Sequence, residues 1–334
     1  MSFFALLCAL LIEQVRPLPY HNPVYAAVLG WTRWVGRNFD AGKPHHGWVA
    51  WCLTVFVPTA AALAVHWMLV IWLGAPFAVV WAIVMLYVTL GFRQFSHHFT
   101  DIRDALDEGD EPLARALLAR WQHVDATNFP RSEIVRCVIE HSVIAAHRHV
   151  FGVLAWFSIL AAFGLGPAGA VFYRMAEFVP RYWAHKSATL SLQPSSPWAQ
   201  QAADRAWALI DWLPARITAL GFAVVGSFED AIDCWRNDAD RFPNENDGVI
   251  LAATAGAVNV RLGGGALRPE PPRDALQSAQ AGDTLVMERP LDSGSTPGRD
   301  AEPAHLRSVV GLVWRSVVMW LVLLALLTLA RLLG

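Results

Sequence analysis

The sequence predicts an all-α fold: a polytopic transmembrane helical bundle of about five spans with cytoplasmic helical inserts. Three observations predict it. Apolar residues fill 55% of the 334 positions and charged residues only 16%, whereas a soluble domain carries about 25% charged residues. Apolar runs recur at residues 48–73, 150–165 and 309–330, each with polar or charged flanks. Sixteen Trp suit a membrane interface, where an indole sits half in lipid and half in water.

Residues 130–183 organise the chain. A helix carrying Arg136, Glu140, His141, His147, Arg148 and His149 turns apolar at Val150, reverses at Gly164-Leu165-Gly166-Pro167 and returns apolar to Tyr173. Charge resumes with Arg174, Glu177, Arg181, His185 and Lys186. That pattern is an up-and-back hairpin in a membrane with both polar ends on one side.

The elements follow in order. Residues 2–12 are too few for an ordinary span and lack the leading basic residues and small-residue cleavage site of a signal peptide, so they enter the membrane partway or pack on the bundle. Arg16-Pro17-Leu18-Pro19 ends that helix. Asn22-Pro23 opens an amphipathic stretch whose Trp31, Arg33, Trp34 and Arg37 have an interfacial composition. Residues 48–73 span, with a kink expected at Pro58 and His66 as the one ionisable group; Gly74-Ala75-Pro76 reverses the chain and 77–92 return. The reversal is uncharged, while Arg33, Arg37 and Lys43 precede the pair and Arg93 and Arg103 follow it, which places the flanks in the cytoplasm and the turn outside.

Residues 93–148 read as a cytoplasmic helical insert, with Ile102, Leu106, Leu113, Leu117 and Leu118 at helical spacing, a break at Gly109 and a new start at Glu111-Pro112. Asn128-Phe129-Pro130 starts the helix into the hairpin. Residues 190–198 are a loop; 204–225 are a helix broken at 211–216, whose second half dips into the membrane. Residues 230–247 are acidic and polar, and the Ala- and Gly-rich 249–260 form a closely packed helix. The expected organisation is a membrane domain over 1–264 with the insert at 93–148, a mobile cytoplasmic loop over 265–305, and a C-terminal transmembrane helix over 306–334. The implied location is a membrane, crossed several times.

Some functions are disfavoured at once. A formal net charge of −2 and a pI near 6.6 give no basic face for nucleic acid. Cys8, Cys52, Cys137 and Cys234 are scattered without a C-x-x-C pair, against a disulfide framework or a zinc or iron–sulfur site, and no metal is expected. His45-His46 and His97-His98 point adjacent rings to different helix faces and read as solvated. Gly263-Gly264-Gly265 lacks the Lys-Ser/Thr of a phosphate loop, and there is no G-x-S-x-G elbow.

Two constellations carry chemistry. Arg136, Glu140 and His147 share one face of an α-helix, since four and seven residues are near-integral turns. A buried Glu140–His147 pair moves a proton or binds a divalent cation, and an interfacial polar cluster is the plain alternative. Arg174, Glu177 and Arg181 share a face at the polar mouth of the hairpin. There they form a pocket for an anionic phosphate or carboxylate, or they snorkel.

Four segments in order resemble the CobD/CbiB membrane proteins of cobalamin biosynthesis and their relative AmpE. They are the N-terminal helix with Asn22-Pro23-Val24, the helix pair around Leu106-Asp107-Glu108-Gly109-Asp110 and Ala114-Arg115, the hairpin, and Leu213-Pro214-Ala215-Arg216 followed by Pro243-Asn244 and Leu262-Gly263-Gly264. The resemblance implies an enzyme that joins a corrinoid acid to an aminoalcohol phosphate by an amide bond, giving adenosylcobinamide phosphate. The family's Glu-Thr-Val-Ala-Glu-Asn-x-x-Asp-Gly lines up with residues 140–149. Glu140 keeps the first acid, while Ile144, Ala145 and Arg148 stand at the second acid, the Asn and the Asp. The Tyr-Lys-x-x-Asn of the return helix becomes Tyr173-Arg174-Met175-Ala176-Glu177, with Pro180 at the following Asp, and an acidic pair falls on Trp207 and Ala208. Asp211-Trp212 with Pro214 and Arg216 is more similar to AmpE, a membrane protein associated with β-lactamase regulation, which also lacks the acidic set.

The expected site therefore has Glu140, His147 and Glu177 as catalytic candidates. Arg148, Arg174, Arg181, Arg216 and Asn244 are the ligand- or phosphate-binding candidates. Expected partners are membrane lipid and a corrinoid or other anionic small molecule; the sequence names no cofactor and no oligomeric state. Three readings remain open: a divergent amide-forming enzyme, an AmpE-like regulatory or sensory protein, and a transporter using an interrupted helix at Pro214.

Overall fold

Proline, asparagine and glycine set most of the boundaries in this all-helical chain. The computed structural model describes residues 2–16, 22–122, 125–189, 195–264 and 295–333. The expected turn at 17–19, much of the 190–198 loop and the stretch 265–294 lie outside these residues. In order come α1 (Ser2–Val15), α2 (Pro23–Phe39), α3 (Pro44–Trp72), α4 (Ala75–Thr89), α5 (Phe92–Asp107) and α6 (Glu111–Gln122). Then follow α7 (Arg131–Ala146), a π-turn (His147–Phe151), α8 (Gly152–Ala162) and α9 (Ala168–Thr189). The chain continues as α10 (Pro197–Val225), α11 (Phe228–Asp238), a 3-10 turn (Ala239–Arg241), α12 (Glu245–Val258) and α13 (Pro303–Leu333).

The helices Pro44–Trp72, Arg131–Ala162, Pro197–Val225 and Pro303–Ala330 are long and apolar enough to cross a membrane, and Phe3–Val15 and Ala75–Thr89 are shorter apolar helices. Among the described residues, four long helices and two short ones bracket the five spans expected. α4 is the reason for the ambiguity. Its 15 residues rise only ~22 Å, against a hydrocarbon core of ~30 Å.

Two compact units partition the chain: Met1–His97 with Ala145–Ile217 and Val317–Gly334, and His98–Ile144 with Thr218–Ser316. Residues 98–144, within the expected insert at 93–148, share their unit with residues 218–316.

In the first unit α3 packs against α2, α4 and α9, α1 packs on α4, and α8 pairs with α9. The reversals fall where the sequence places them. Gly74 between α3 and α4 and Gly164 between α8 and α9 take φ of 92° and 76°, a region L side chains avoid. The hairpin arms close on small residues. A Cβ on Gly152 would lie 2.0 Å from the Tyr173 ring, and one on Gly169 would lie 2.0 Å from the Trp156 carbonyl oxygen. Phe151, Phe157, Tyr173 and Trp183 are fully buried there.

Here α10 corrects an expectation: the break at 211–216 does not occur, and one helix runs from Pro197 through Pro214 to Val225. Pro214 offers no N–H to the Ile210 carbonyl four residues back. The Trp156 indole donates to that carbonyl instead, at 3.1 Å, so the freed acceptor is satisfied and the helix continues. The interrupted helix invoked for a transporter is absent.

In the second unit α12 packs against α11 and the 3-10 turn. Gly248 to Gly256 are buried on every side, as the Ala- and Gly-rich composition predicts. A Cβ on Gly256 would lie 2.2 Å from the Asp230 carbonyl oxygen, and one on Gly248 would lie 2.4 Å from that of Ala239. α12 ends at Asn259, in the left-handed conformation at φ 53°. The chain beyond pairs with a later segment: Arg261 N–H donates to Arg299 O at 2.8 Å, Thr296 N–H to Leu262 O at 2.9 Å, and Leu262 N–H to Thr296 Oγ1 at 2.9 Å. The expected mobile loop over 265–305 is therefore too long at its end. Residues 295–302 are pinned, and α13 begins at Pro303 rather than 306.

Candidate functional site

The π-turn prepares the site of the first unit. Gly152 N–H bonds to the His147 carbonyl, one residue wider than an α-helix allows. His147, at the start of that turn, is fully buried, and its Nε2 lies 2.8 Å from Asp211 Oδ1 on α10. The Tyr173 hydroxyl of α9 donates to the same oxygen at 2.8 Å and lies 3.3 Å from His147 Nε2. One buried carboxylate thus gathers an imidazole and a phenol from two other segments. Asp211 Oδ2 is buried with no hydrogen-bond partner among the described residues. Such a network rigidifies its surroundings when satisfied and is costly when broken. It also gives a proton three sites close enough to exchange.

One turn beyond Tyr173, Glu177 is 1% exposed and its two oxygens face two guanidinium groups: Arg174 Nη1 at 3.0 Å and Arg181 Nη2 in a close ion pair. Two guanidinium groups thus meet one acid, and the Arg181 side chain is 49% exposed. This cluster has the donor geometry that phosphate and carboxylate ligands use. Arg148 lies in the π-turn beside His147 and is half-buried.

Arg216 behaves differently. Its guanidinium sits 4.1 Å above the ring of half-exposed Trp212 and donates to the Trp212 carbonyl at 3.1 Å. It lies along its own helix, in the manner of an interfacial cation–π pair.

Glu140 belongs to the second unit. Its Oε1 accepts from Arg136 Nη1 at 2.7 Å and from Gly263 N–H at 2.6 Å. Arg136 also binds Glu133, with Nε 2.9 Å from Oε2. Gly263 and Gly264 take φ of 97° and 49°, and a Cβ on Gly264 would lie 2.7 Å from the Arg136 guanidinium carbon, so this turn lies close over the ion pair. The expected Glu140–His147 pair is thereby corrected. Glu140 is committed to Arg136 and Gly263, and His147 to Asp211 and Tyr173. Asn244 precedes α12, is exposed, and its Nδ2 donates to Asp247 Oδ2 at 3.2 Å.

The second unit also holds a cavity of about 450 Å³, within the small-molecule range. Asp230, Asp233, Cys234, Asp238, Asn259 and Arg261 contribute to its lining, and none of the eight sequence-predicted residues does. Burial, then the carboxylates of Asp238, Asp230 and Asp233, push the Cys234 thiol up to about 11. At that value the thiol is protonated at neutral pH. Among the described residues no three His, Cys, Asp or Glu side chains converge as a metal site.

Sequence reasoning missed Asp211 and Tyr173 as partners of His147. The available signal was Asp211 itself, an acid in an apolar helix, where ionisable groups turn inward and find partners.

The fold and these buried clusters define an all-α membrane protein with polar networks inside its helical units. The profile of the family described as CobD/Cbib protein matches residues 3–284, and the chain belongs to the CobD/CbiB family. It is 29% identical over 290 residues to Cobalamin biosynthesis protein CobD of Stutzerimonas stutzeri strain A1501, covering 85% of this chain and 82% of that protein. Proteins of the same description from Chromobacterium violaceum and Leptospira interrogans are 33% and 30% identical over 184 and 188 residues. Those two alignments span 55% and 56% of the relatives' own length. No solved structure matches the chain significantly.

Proposed function

We propose that this chain is a multi-pass protein of a bacterial inner membrane that serves cobalamin biosynthesis. The step assigned is the one its family resemblance implies, the joining of a corrinoid acid to an aminoalcohol phosphate through an amide. The observation that carries the reading is the similarity to a cobalamin biosynthesis protein along 82% of that protein's length. Arg174 and Arg181 supply the guanidinium groups for the phosphate, and Glu177 holds both in place. Glu140 keeps the one acid of its motif and fixes the Gly263-Gly264 turn. His147, with Asp211 and Tyr173, is a positioning group at the base of the hairpin.

A second reading is an AmpE-like binding protein that keeps the scaffold without the amide chemistry. Ile144, Ala145 and Arg148 at motif positions that otherwise carry two acids and an amide favour it. Membranes from cells expressing the chain separate the two. They are incubated with an adenosylated corrinoid acid and aminopropanol phosphate, with and without ATP and Mg²⁺, and the extract is weighed by mass spectrometry. The expected product is heavier than the acid by the aminoalcohol phosphate less one water. Absence of that mass from well-expressed protein, with corrinoid retained in equilibrium dialysis, selects the binding reading.

A further inference from the structure

Three contacts join α2 to α9, in the same order along both helices. Tyr25 meets Phe178 with ring centroids 6.0 Å apart, Arg33 Nε donates to the Tyr182 hydroxyl oxygen at 3.1 Å, and Gly36 faces the Trp183 indole. Ser195 N–H donates to Ser187 Oγ at 3.2 Å and Ser196 N–H to Asp40 Oδ2 at 2.9 Å, which brings the C-terminal ends of α9 and α2 to one short segment.

That place is basic. Residues 31–43 carry Arg33, Arg37 and Lys43 against Asp40, and residues 174–189 carry Arg174, Arg181 and Lys186 against Glu177. Both acids are engaged: Asp40 accepts from Ser196 N–H at 2.9 Å, and Glu177 is buried between Arg174 and Arg181. Arg33 and Arg37 are exposed one turn apart on α2, and Arg37 Nε donates to the Arg33 carbonyl at 3.4 Å. Beside them the aromatic surface is open. Trp34 is 46% and Phe39 37% exposed, with Trp31 stacked on Trp34 at 5.3 Å.

We infer that the Arg33–Arg37 face binds an anionic phospholipid: its headgroup phosphate on the guanidinium groups, its upper chains against Trp34 and Phe39. A helix C-terminus alone would favour cations, but it gives no reason for an uncovered indole and phenyl in the same patch. A soluble phosphate would use the arginines and leave both rings in water. A lipid uses both halves, and interfacial cations and indoles are placed for this at membrane surfaces.

The test is native mass spectrometry of the full chain from detergent micelles, offered phosphatidylglycerol and phosphatidylcholine of equal chain length. Wild type should retain phosphatidylglycerol preferentially, and Arg33→Gln with Arg37→Gln should reduce that preference roughly tenfold. Arg33→Lys with Arg37→Lys keeps the charge and should keep the preference, which separates charge from folding; the single exposed change Arg37→Gln should lower it partway. Equal retention of both lipids by wild type, or an unchanged preference in the Gln variants, would overturn the inference. So would displacement of the bound lipid by millimolar glycerol phosphate, which would make the patch a site for a soluble phosphate.

Discussion

Asp211→Ala is expected to destabilise the purified protein by about 3–5 kcal/mol, as measured by chemical denaturation followed through tryptophan fluorescence. The acid is fully buried and is the shared acceptor for His147 and Tyr173. Truncation removes the acceptor that the imidazole and the phenol share and leaves a cavity in its place, and a buried polar group that loses its partner costs about 1–3 kcal/mol. Tyr173→Phe removes one donor and leaves the His147–Asp211 bond, so it should cost less, about 1–2 kcal/mol. The two effects should not add, because the residues share one oxygen. A double variant no worse than Asp211→Ala fits a single network. An Asp211→Ala protein within about 1 kcal/mol of wild type would mean the cluster contributes little to folding.

Gly256→Val should have a comparable effect through packing. A Cβ at this position would lie 2.2 Å from the Asp230 carbonyl oxygen and 2.6 Å from the Ala231 Cα. Both are backbone atoms of α11 and cannot rotate away. Overpacking of this kind costs about 1–3 kcal/mol for a methyl group and more for a branched side chain. Since Asp230 and Gly256 line the same cavity, the substitution should also deform it. Gly30→Ala and Gly311→Ala are the controls. Nothing lies within 4 Å of their added Cβ, and both sit inside helices, so stability should hold or rise by about 0.4–1 kcal/mol. Limited proteolysis of the α11–α12 region reports the difference directly.

The legible parts of the fold were those fixed by local chemistry. The hairpin over α8 and α9 follows from an apolar run, a Gly-Pro reversal and a second apolar run. α12 follows from small residues too apolar for a solvated helix. The boundaries at Pro23, Gly74, Gly109 and Pro112 follow from what proline and glycine do to a backbone. The missed features each depend on a partner remote in sequence. Pro214 reads as a break until Trp156, 58 positions earlier, is seen to take the freed carbonyl. His147 reads as a partner of Glu140 until Asp211 and Tyr173 are in view. Arg216 reads as a ligand group until Trp212 is found beneath it. Of the candidate site, the Arg174–Glu177–Arg181 cluster was legible because all three residues lie on one helix at helical spacing. The His147–Asp211–Tyr173 cluster was not, because its members come from segments 26 and 38 positions apart.

The most direct test of the functional account is genetic. The chain is expressed in a bacterium lacking its own cobinamide-phosphate synthase, fed cobyric acid, and assayed for completed cobamide, with membrane expression confirmed in parallel. The account predicts that cobamide appears, and that Arg174→Ala or Glu140→Ala abolishes it while the protein remains in the membrane. Well-expressed protein that restores no cobamide would contradict a synthase role and leave the scaffold as a ligand-binding relative of the family.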